Sequence, residues 1–314
     1  MLRRAIPAEA PRLARWLAEG IAEDEPEAGW DPDRLARTIE RLHRPPWTWP
    51  LEILSSIGRP IGTTIVDVEG DRLLGAASVA FGRGVAHLAA WCPGRSEAAP
   101  AIARELLAAA RAAAAPNGPK GLLVSLPPGA GASSRGRVLV DAGARRLVET
   151  SRFAFATSDG SRAPGSPGPV RRATRRDVEP LLRLLRAGRP PALESLDPVG
   201  PSAIRLSPLV PRVFGSVSET FVVDDAGGPV AFVRATVSEA ARAGHLTEPI
   251  GPGGDAPTTV AVVRAALGWL AERGRPKAIG SAWRVGPAGG TLKLPSFAET
   301  LDGAPLYHLA ALGG

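Results

Sequence analysis

Cysteine is almost absent from this chain of 314 residues: Cys92 stands alone. A lone thiol excludes an intrachain disulfide, a thiolate metal cluster and Cys-X-X-Cys redox chemistry. Histidine occurs only four times, and the four are spread through the chain, so no metal site is expected. Tyrosine occurs once, at Tyr307, and lysine only at Lys120, Lys277 and Lys293, so arginine carries the net charge of +7. That charge divides into +3 before residue 158 and +4 from there on. Neither half is a basic arm, and no basic cluster exceeds a few residues, so no nucleic-acid partner is expected. No run of about 18 apolar residues exists to span a membrane, and the N-terminus lacks an apolar signal core. A soluble cytoplasmic protein with no membrane partner is the expectation, in keeping with 44% hydrophobic and 22% charged residues.

What the sequence has instead is repetition. His87 to Lys120 reads HLAAWCPGRSEAAPAIARELLAAARAAAAPNGPK, and His245 to Lys277 reads HLTEPIGPGGDAPTTVAVVRAALGWLAERGRPK. Each opens His-Leu, crosses a Pro/Gly loop, enters one long helix pattern and closes Pro-Lys. The offsets are 158 at the histidines and 157 at the lysines, and Gly70 to His87 aligns over Gly228 to His245 without a gap. Arg3 to Ala5 recurs as Arg171 to Ala173. A period this long marks a duplicated domain, since solenoid units repeat at roughly 20–50 residues. The expected division is a first domain at 1–157, a Pro/Gly/Ser linker at 158–169 and a second domain at 170–314.

Hydrophobic periodicity places the elements. In the first copy a short strand at Met1 to Ala5 precedes a helix from about Ala8 with the stripe Leu13, Trp16 and Leu17. Asp31 and Pro32 read as N-cap and first residue of a second helix. Three strands follow, near 63–68, 73–81 and 85–92. A helix at 98–114 turns Ile102, Leu106 and Leu107 inward, and a buried strand covers 121–126. A brief helix near 134–142 and a strand near 146–156 complete the copy. The second copy repeats this order, with Thr174 to Asp177 as a capping-box-like start to a helix bearing Leu181, Leu182 and Leu185. Its strands are expected near 220–224, 230–237, 245–248, 278–283 and 306–312, with a helix at 259–272. Arg189 to Pro211, where the first copy has its second helix, is Pro-rich and irregular.

This order, β-α-(α)-β-β-β-α-β-α-β in each copy, resembles the GNAT superfamily of N-acetyltransferases in tandem arrangement. The resemblance covers nearly the whole chain. It implies an α/β fold of two GNAT-like domains, each a mixed, mostly antiparallel sheet flanked by helices. It also implies acetyl-CoA, or another acyl-CoA, as cosubstrate and a small-molecule amine as acceptor.

The family signature, (Arg/Gln)-X-X-Gly-X-(Gly/Ala), lets backbone N–H groups and a helix N-terminus capture a pyrophosphate. In the second copy the matching positions are Gly251, Gly254 and Ala256, so the last two fit and the leading Arg/Gln does not. In the first copy they are Pro93, Ser96 and Ala98, where only the alanine fits. Pro93 has no N–H to offer, and Glu97 would repel phosphate, as Asp255 would in the second copy. Both motifs are degenerate, and the second copy is the better site. The resemblance assigns acyl-CoA binding there to Ile250, Gly251, Gly253, Gly254, Ala256 and Thr258. Some family members carry a glutamate base on the fourth strand. Glu248 is the candidate here, with His245 three residues earlier; ordinary strand-end roles are the alternative for both. The family's tyrosine acid has no counterpart on the penultimate helix of either copy. Trp47 and Trp49 fall in the segment that walls the acceptor site, where they either line it or serve packing. A second reading remains open: a catalytically inactive tandem module that binds a ligand or a protein.

Overall fold

The computed structural model describes residues 1–24, 26–43, 62–81, 86–92, 99–114, 122–126, 145–157, 170–191, 194, 216–246, 257–284 and 304–313. In the first half these form β1 (Leu2–Arg4), α1 (Ala10–Asp24), α2 (Pro32–His43), β2 (Gly62–Glu69), β3 (Arg72–Phe81), β4 (Ala86–Cys92), α3 (Ala99–Ala114), β5 (Leu122–Leu126) and β6 (Arg145–Ala156). In the second half they form β7 (Val170–Arg172), α4 (Val178–Gly188), β8 (Ser216–Asp225), β9 (Gly228–Ser238), β10 (Gly244–Leu246), α5 (Pro257–Ala271), β11 (Lys277–Arg284) and β12 (Ala304–Gly313). The brief helix expected near 134–142, the linker at 158–169, and Trp47 and Trp49 lie outside the described residues, as does most of Arg189 to Pro211.

Each half is a mixed, mostly antiparallel array of strands flanked by helices. Inward residues alternate along the strands, so each half has two cores, one per face of the sheet. On one face of the first half, Leu13 and Leu17 of α1 pack on Val66, Val68 and Ala76. On the other, Ile102, Leu106 and Leu107 of α3 pack on Ile65, Ala77 and Val79. The second half repeats the plan, with Leu181 and Leu182 of α4 on Val222 and Phe232 and α5 on Phe221, Val223, Val233 and Ala235. The expected caps form as well: Asp31 Oδ1 accepts from the backbone N–H groups of Asp33 and Arg34, and Thr174 with Asp177 makes a capping box.

The two halves share one twelve-stranded sheet, in the order β1-β2-β3-β4-β5-β12-β6-β11-β10-β9-β8-β7. The last strand of each half has crossed over. β12, from the C-terminal end of the chain, pairs with β5 of the first half, Ala310 facing Leu126. β6 pairs with β11 of the second half along its length, from Lys277 opposite Ala156 to Arg284 opposite Glu149. The exchanged strands also pair with each other, antiparallel. Phe153 and Phe155 of β6 thereby enter the core beneath α5.

Strand register changes the offset of the repeat across the first hairpin of each half. The tight turn is Glu69 opposite Arg72 in the first half and Asp225 opposite Gly228 in the second, an offset of 156. The bulges that follow Asp67 and Val223 keep the same offset. Gly70 is therefore not the counterpart of Gly228. His87 lies opposite Ala80 and beside Leu123, and His245 lies opposite Thr236 and beside Ile279. The histidines are true counterparts, reached in the second half by two extra residues between β9 and β10. Those residues belong to a connection that touches the other half, as described below.

Both first strands are pinned by one device. Arg3 donates two hydrogen bonds of 2.7 Å to Glu9, whose carboxylate also accepts from Ile6 N. Arg171 does the same to Asp177 at 2.8 Å, and Thr174 N donates to that carboxylate. The guanidinium beside it pulls the Glu9 pKa from 4.5 to about 2, and Arg171 holds Asp177 well below the usual carboxylate range. A depressed folded-state pKa stabilises the fold above the unfolded value and loses that stabilisation as pH falls through the folded one. Glu9 is therefore expected to contribute on the order of 3 kcal/mol at neutral pH, disappearing between about pH 4.5 and pH 2. Urea midpoints of the wild type and Glu9→Gln should differ at pH 6 and converge near pH 2. A gap that stayed constant with pH would contradict this account.

Candidate functional site

The central strands of each half are the sheet's parallel pairs, and the first pair comes apart. β4 and β5 pair only at Ala86–Leu122, His87–Leu123 and Leu88–Val124. Beyond that, β4 stays with β3 as far as Cys92, while β5 turns to β12. In the second half β10 and β11 pair from Gly244–Ala278 to Leu246–Gly280. β11 continues to Arg284 against β6, and the residues that follow Leu246 lie outside the described ones. Two strands that part leave backbone N–H and C=O groups without a ladder partner, the arrangement in which an extended ligand can be held by main-chain hydrogen bonds.

Close packing fixes the second pair from behind. A Cβ on Gly244 would lie 2.5 Å from Leu270 Cδ2 of α5, so only glycine lets the helix approach this strand. Leu246 joins the core under α5, which turns His245 to the opposite face. There His245 lies opposite Thr236, and Thr236 shares a 2.9 Å hydrogen bond with Ser218. Arg234, two residues back on β9 and opposite the buried Thr220, faces the same side. Desolvation by burial lowers the Arg234 pKa, so this face carries a cation largely removed from water.

The fourth side of this face comes from the other half. Trp30, in the connection between α1 and α2, stacks on His245 with ring centroids 5.5 Å apart and planes 26° apart. The connection is held by the backbone: Asp31 N donates to Ala240 O at 2.7 Å, and Arg242 N and Ala243 N donate to Ala28 O at 3.1 Å. Gly29, at φ +59, makes the turn, and a Cβ there would press to 3.1 Å from Arg242 Cβ. His245 is thus clamped between its own sheet and a tryptophan of the first half.

α5 begins ten residues after β10 ends, at Pro257. Its first turn holds Thr258 and Thr259, whose Oγ1 atoms are both shielded from solvent with no hydrogen-bond partner among the described residues; Thr259 is completely buried. A buried hydroxyl without a partner costs about 1–3 kcal/mol, and at a helix N-terminus an anion is the partner the dipole favours. Of the residues singled out from sequence, His245 and Thr258 are therefore placed. Glu248, Ile250, Gly251, Gly253, Gly254 and Ala256 lie outside the described residues.

Trp30 and Arg234 were not singled out from the sequence. Arg234 left a signal, a charge inside the apolar strand GPVAFVRATVS. Trp30 left none, because its contact with His245 spans 215 residues of chain. Among the described residues no group of three or more His, Cys, Asp or Glu could hold a metal ion. No described helix is long and apolar enough to cross a membrane.

No protein-family model and no curated protein sequence matches the chain. Solved structures do. One is a tandem GNAT protein from the clavulanic acid biosynthesis pathway, solved without AcCoA, at 15% identity and a TM-score of 0.65 over 100% of this chain and 98% of that one. A GCN5-related N-acetyltransferase from Sphaerobacter thermophilus matches at 15% identity and a TM-score of 0.60, over 100% of this chain and 95% of that one. A GCN5-related N-acetyltransferase from Kribbella flavida matches at 16% identity and a TM-score of 0.51, over 76% of this chain and 86% of that one. At such identities it is the fold that is shared. The chain has the fold of a tandem GNAT protein.

Proposed function

We propose that the protein transfers an acyl group, acetyl in the simplest case, from acyl-CoA to a small-molecule amine in the cytoplasm. The fold supports acyl transfer in general terms, and the acyl group, the acceptor and the site are our reading. The observation that carries it is the parallel β10–β11 pair, followed by a helix whose first turn holds two buried threonine hydroxyls with no partner among the described residues. Thr258, with the backbone N–H groups from Gly251 to Ala256 and the flanking Ile250, would hold the pyrophosphate of acyl-CoA. The thioester is what acyl-CoA supplies. Main-chain N–H groups following β10 would polarise its carbonyl. Glu248 would take the proton from the amine, directly or through one water, and His245, held by Trp30, would line the path of that proton.

In this reading units 1–157 and 170–314, joined by the linker 158–169, have diverged. The first, with Pro93 and Glu97 at its loop, is a degenerate copy that completes the acceptor side of the second. Calorimetric titration with acetyl-CoA tests the reading. Binding is expected, with at least about tenfold loss in Gly254→Asp, which puts a carboxylate where phosphate should lie. Glu248→Gln should then retain binding and lose about a hundredfold or more in turnover with an accepted amine. No heat at millimolar acetyl-CoA, from protein shown to be folded, would leave the inactive binding module as the correct reading.

A further inference from the structure

A second site lies at the seam between the halves. A cleft of about 540 Å³ separates the start of α2 from the β9–β10 connection, and its walls include Trp30, Arg34, Glu239, Arg242 and Arg275. A smaller cleft of about 230 Å³ adjoins it, shares Arg34, Glu239 and Arg275, and adds Arg37. Four guanidinium groups therefore meet two carboxylates, those of Asp31 and Glu239. Asp31 is already engaged with the α2 N-terminus and with Arg34 at 3.4 Å.

The arginines divide by role. Arg275 donates to Ala241 O at 2.7 Å and Ser238 O at 3.0 Å, and so holds the floor of the cleft. Arg34 reaches across the seam to Glu239 O at 3.2 Å. Arg37 and Arg242 make no ion pair among the described residues, and both are exposed. Two uncommitted guanidinium groups over a cationic floor, with an indole in the wall, match phosphate oxygens and a planar ring. The volume falls in the range of about 300–1,000 Å³ usual for small-ligand sites.

This place is not the acyl-CoA site. β10 and β11 are parallel. The residues Glu239 to Arg242 and Arg275 precede these strands, whereas the loop 247–256 follows β10. The two sites lie at opposite ends of the pair. We infer that the seam cleft binds a phosphorylated small molecule of nucleotide size, and that this ligand bridges the halves. A short cleft with four arginines suits a single polyphosphate rather than the continuous backbone of a nucleic acid.

Three probes test this in one buffer of low ionic strength: inorganic pyrophosphate, ADP and a single-stranded DNA 12-mer, each titrated by calorimetry. Pyrophosphate and ADP are expected to bind, and to bind equally well to Gly254→Asp. The double variant Arg37→Ser/Arg242→Ser, which removes no ion pair among the described residues, should still melt cooperatively and weaken both by at least about tenfold. Either ligand should raise the melting temperature of the wild type and not of the double variant. The inference is overturned by no binding at millimolar pyrophosphate, by binding that is lost in Gly254→Asp but survives the double substitution, or by the 12-mer binding more tightly than ADP.

Discussion

Removing residues 304–314 is expected to unfold the first half of the molecule, which ends in sequence some 150 residues earlier. β12 fills the space between β5 and β6, so its loss leaves the facing edges of both strands without hydrogen-bond partners in the middle of a sheet. Pairs such as Leu126–Ala310 and Val124–Leu312 go, together with the long ladder from Ala304–Ala154 to Gly313–Arg145. Native margins are about 5–15 kcal/mol, and an unpaired interior edge with its exposed apolar face is enough to exhaust them and to invite aggregation. The truncated chain should be insoluble or melt without cooperativity. Residues 1–169 and 170–314 made as separate chains should fold only together, as a one-to-one complex, because each supplies the last strand of the other. A truncated protein with the wild-type melting temperature, or either piece folding alone as a monomer, would disprove the exchange.

Phe153→Ala should damage the half of the protein to which Phe153 does not belong in sequence. The side chain is fully buried and sits with Phe221, Leu246, Leu267 and Leu270 under α5. Truncating a buried phenylalanine costs about 3–5 kcal/mol, the transfer energy plus the cavity left behind. For a chain of this size that is roughly 5–8 °C in melting temperature. Hydrogen exchange supplies the discriminating measurement. Amides of α5 should lose protection before those of α3, whereas Leu106→Ala, a fully buried change under α3, should show the reverse order. Loss of protection confined to the first half in Phe153→Ala would mean that β6 serves its own half after all.

These two expectations rest on a part of the structure that local pattern could not show. Leu13 with Leu17, Ile102 with Leu106 and Leu107, and Leu181 with Leu182 announce buried helix faces, because 3.6-residue spacing puts them on one stripe. Asp31-Pro32 and Thr174 to Asp177 announce helix starts, because a cap is satisfied within a few residues. The alternating strands were legible for the same reason. Part of the arrangement was legible too: Thr258 falls in the first turn of α5, and the histidines of β4 and β10 are matched. A two-residue difference between the copies was enough to mislead an ungapped alignment of their hairpins, since glycine recurs near both turns without being equivalent.

What the amino-acid order by itself determined, then, is the kind and sequence of the elements and the existence of two similar halves, all of them consequences of contacts within about one helix or one hairpin. Which edge each last strand joins was decided only in the tertiary structure. β6, with Leu147, Val148, Phe153 and Phe155, and β12, with Leu306, Leu309 and Leu312, both carry apolar residues suited to an interior position, and nothing within either one distinguishes its own half from the other. The same holds for Trp30 on His245 and for the arginines of the seam. Their chemistry depends on side chains from distant segments being brought to one place, and the geometry that brings them there is a property of the assembled sheet, not of any stretch of chain.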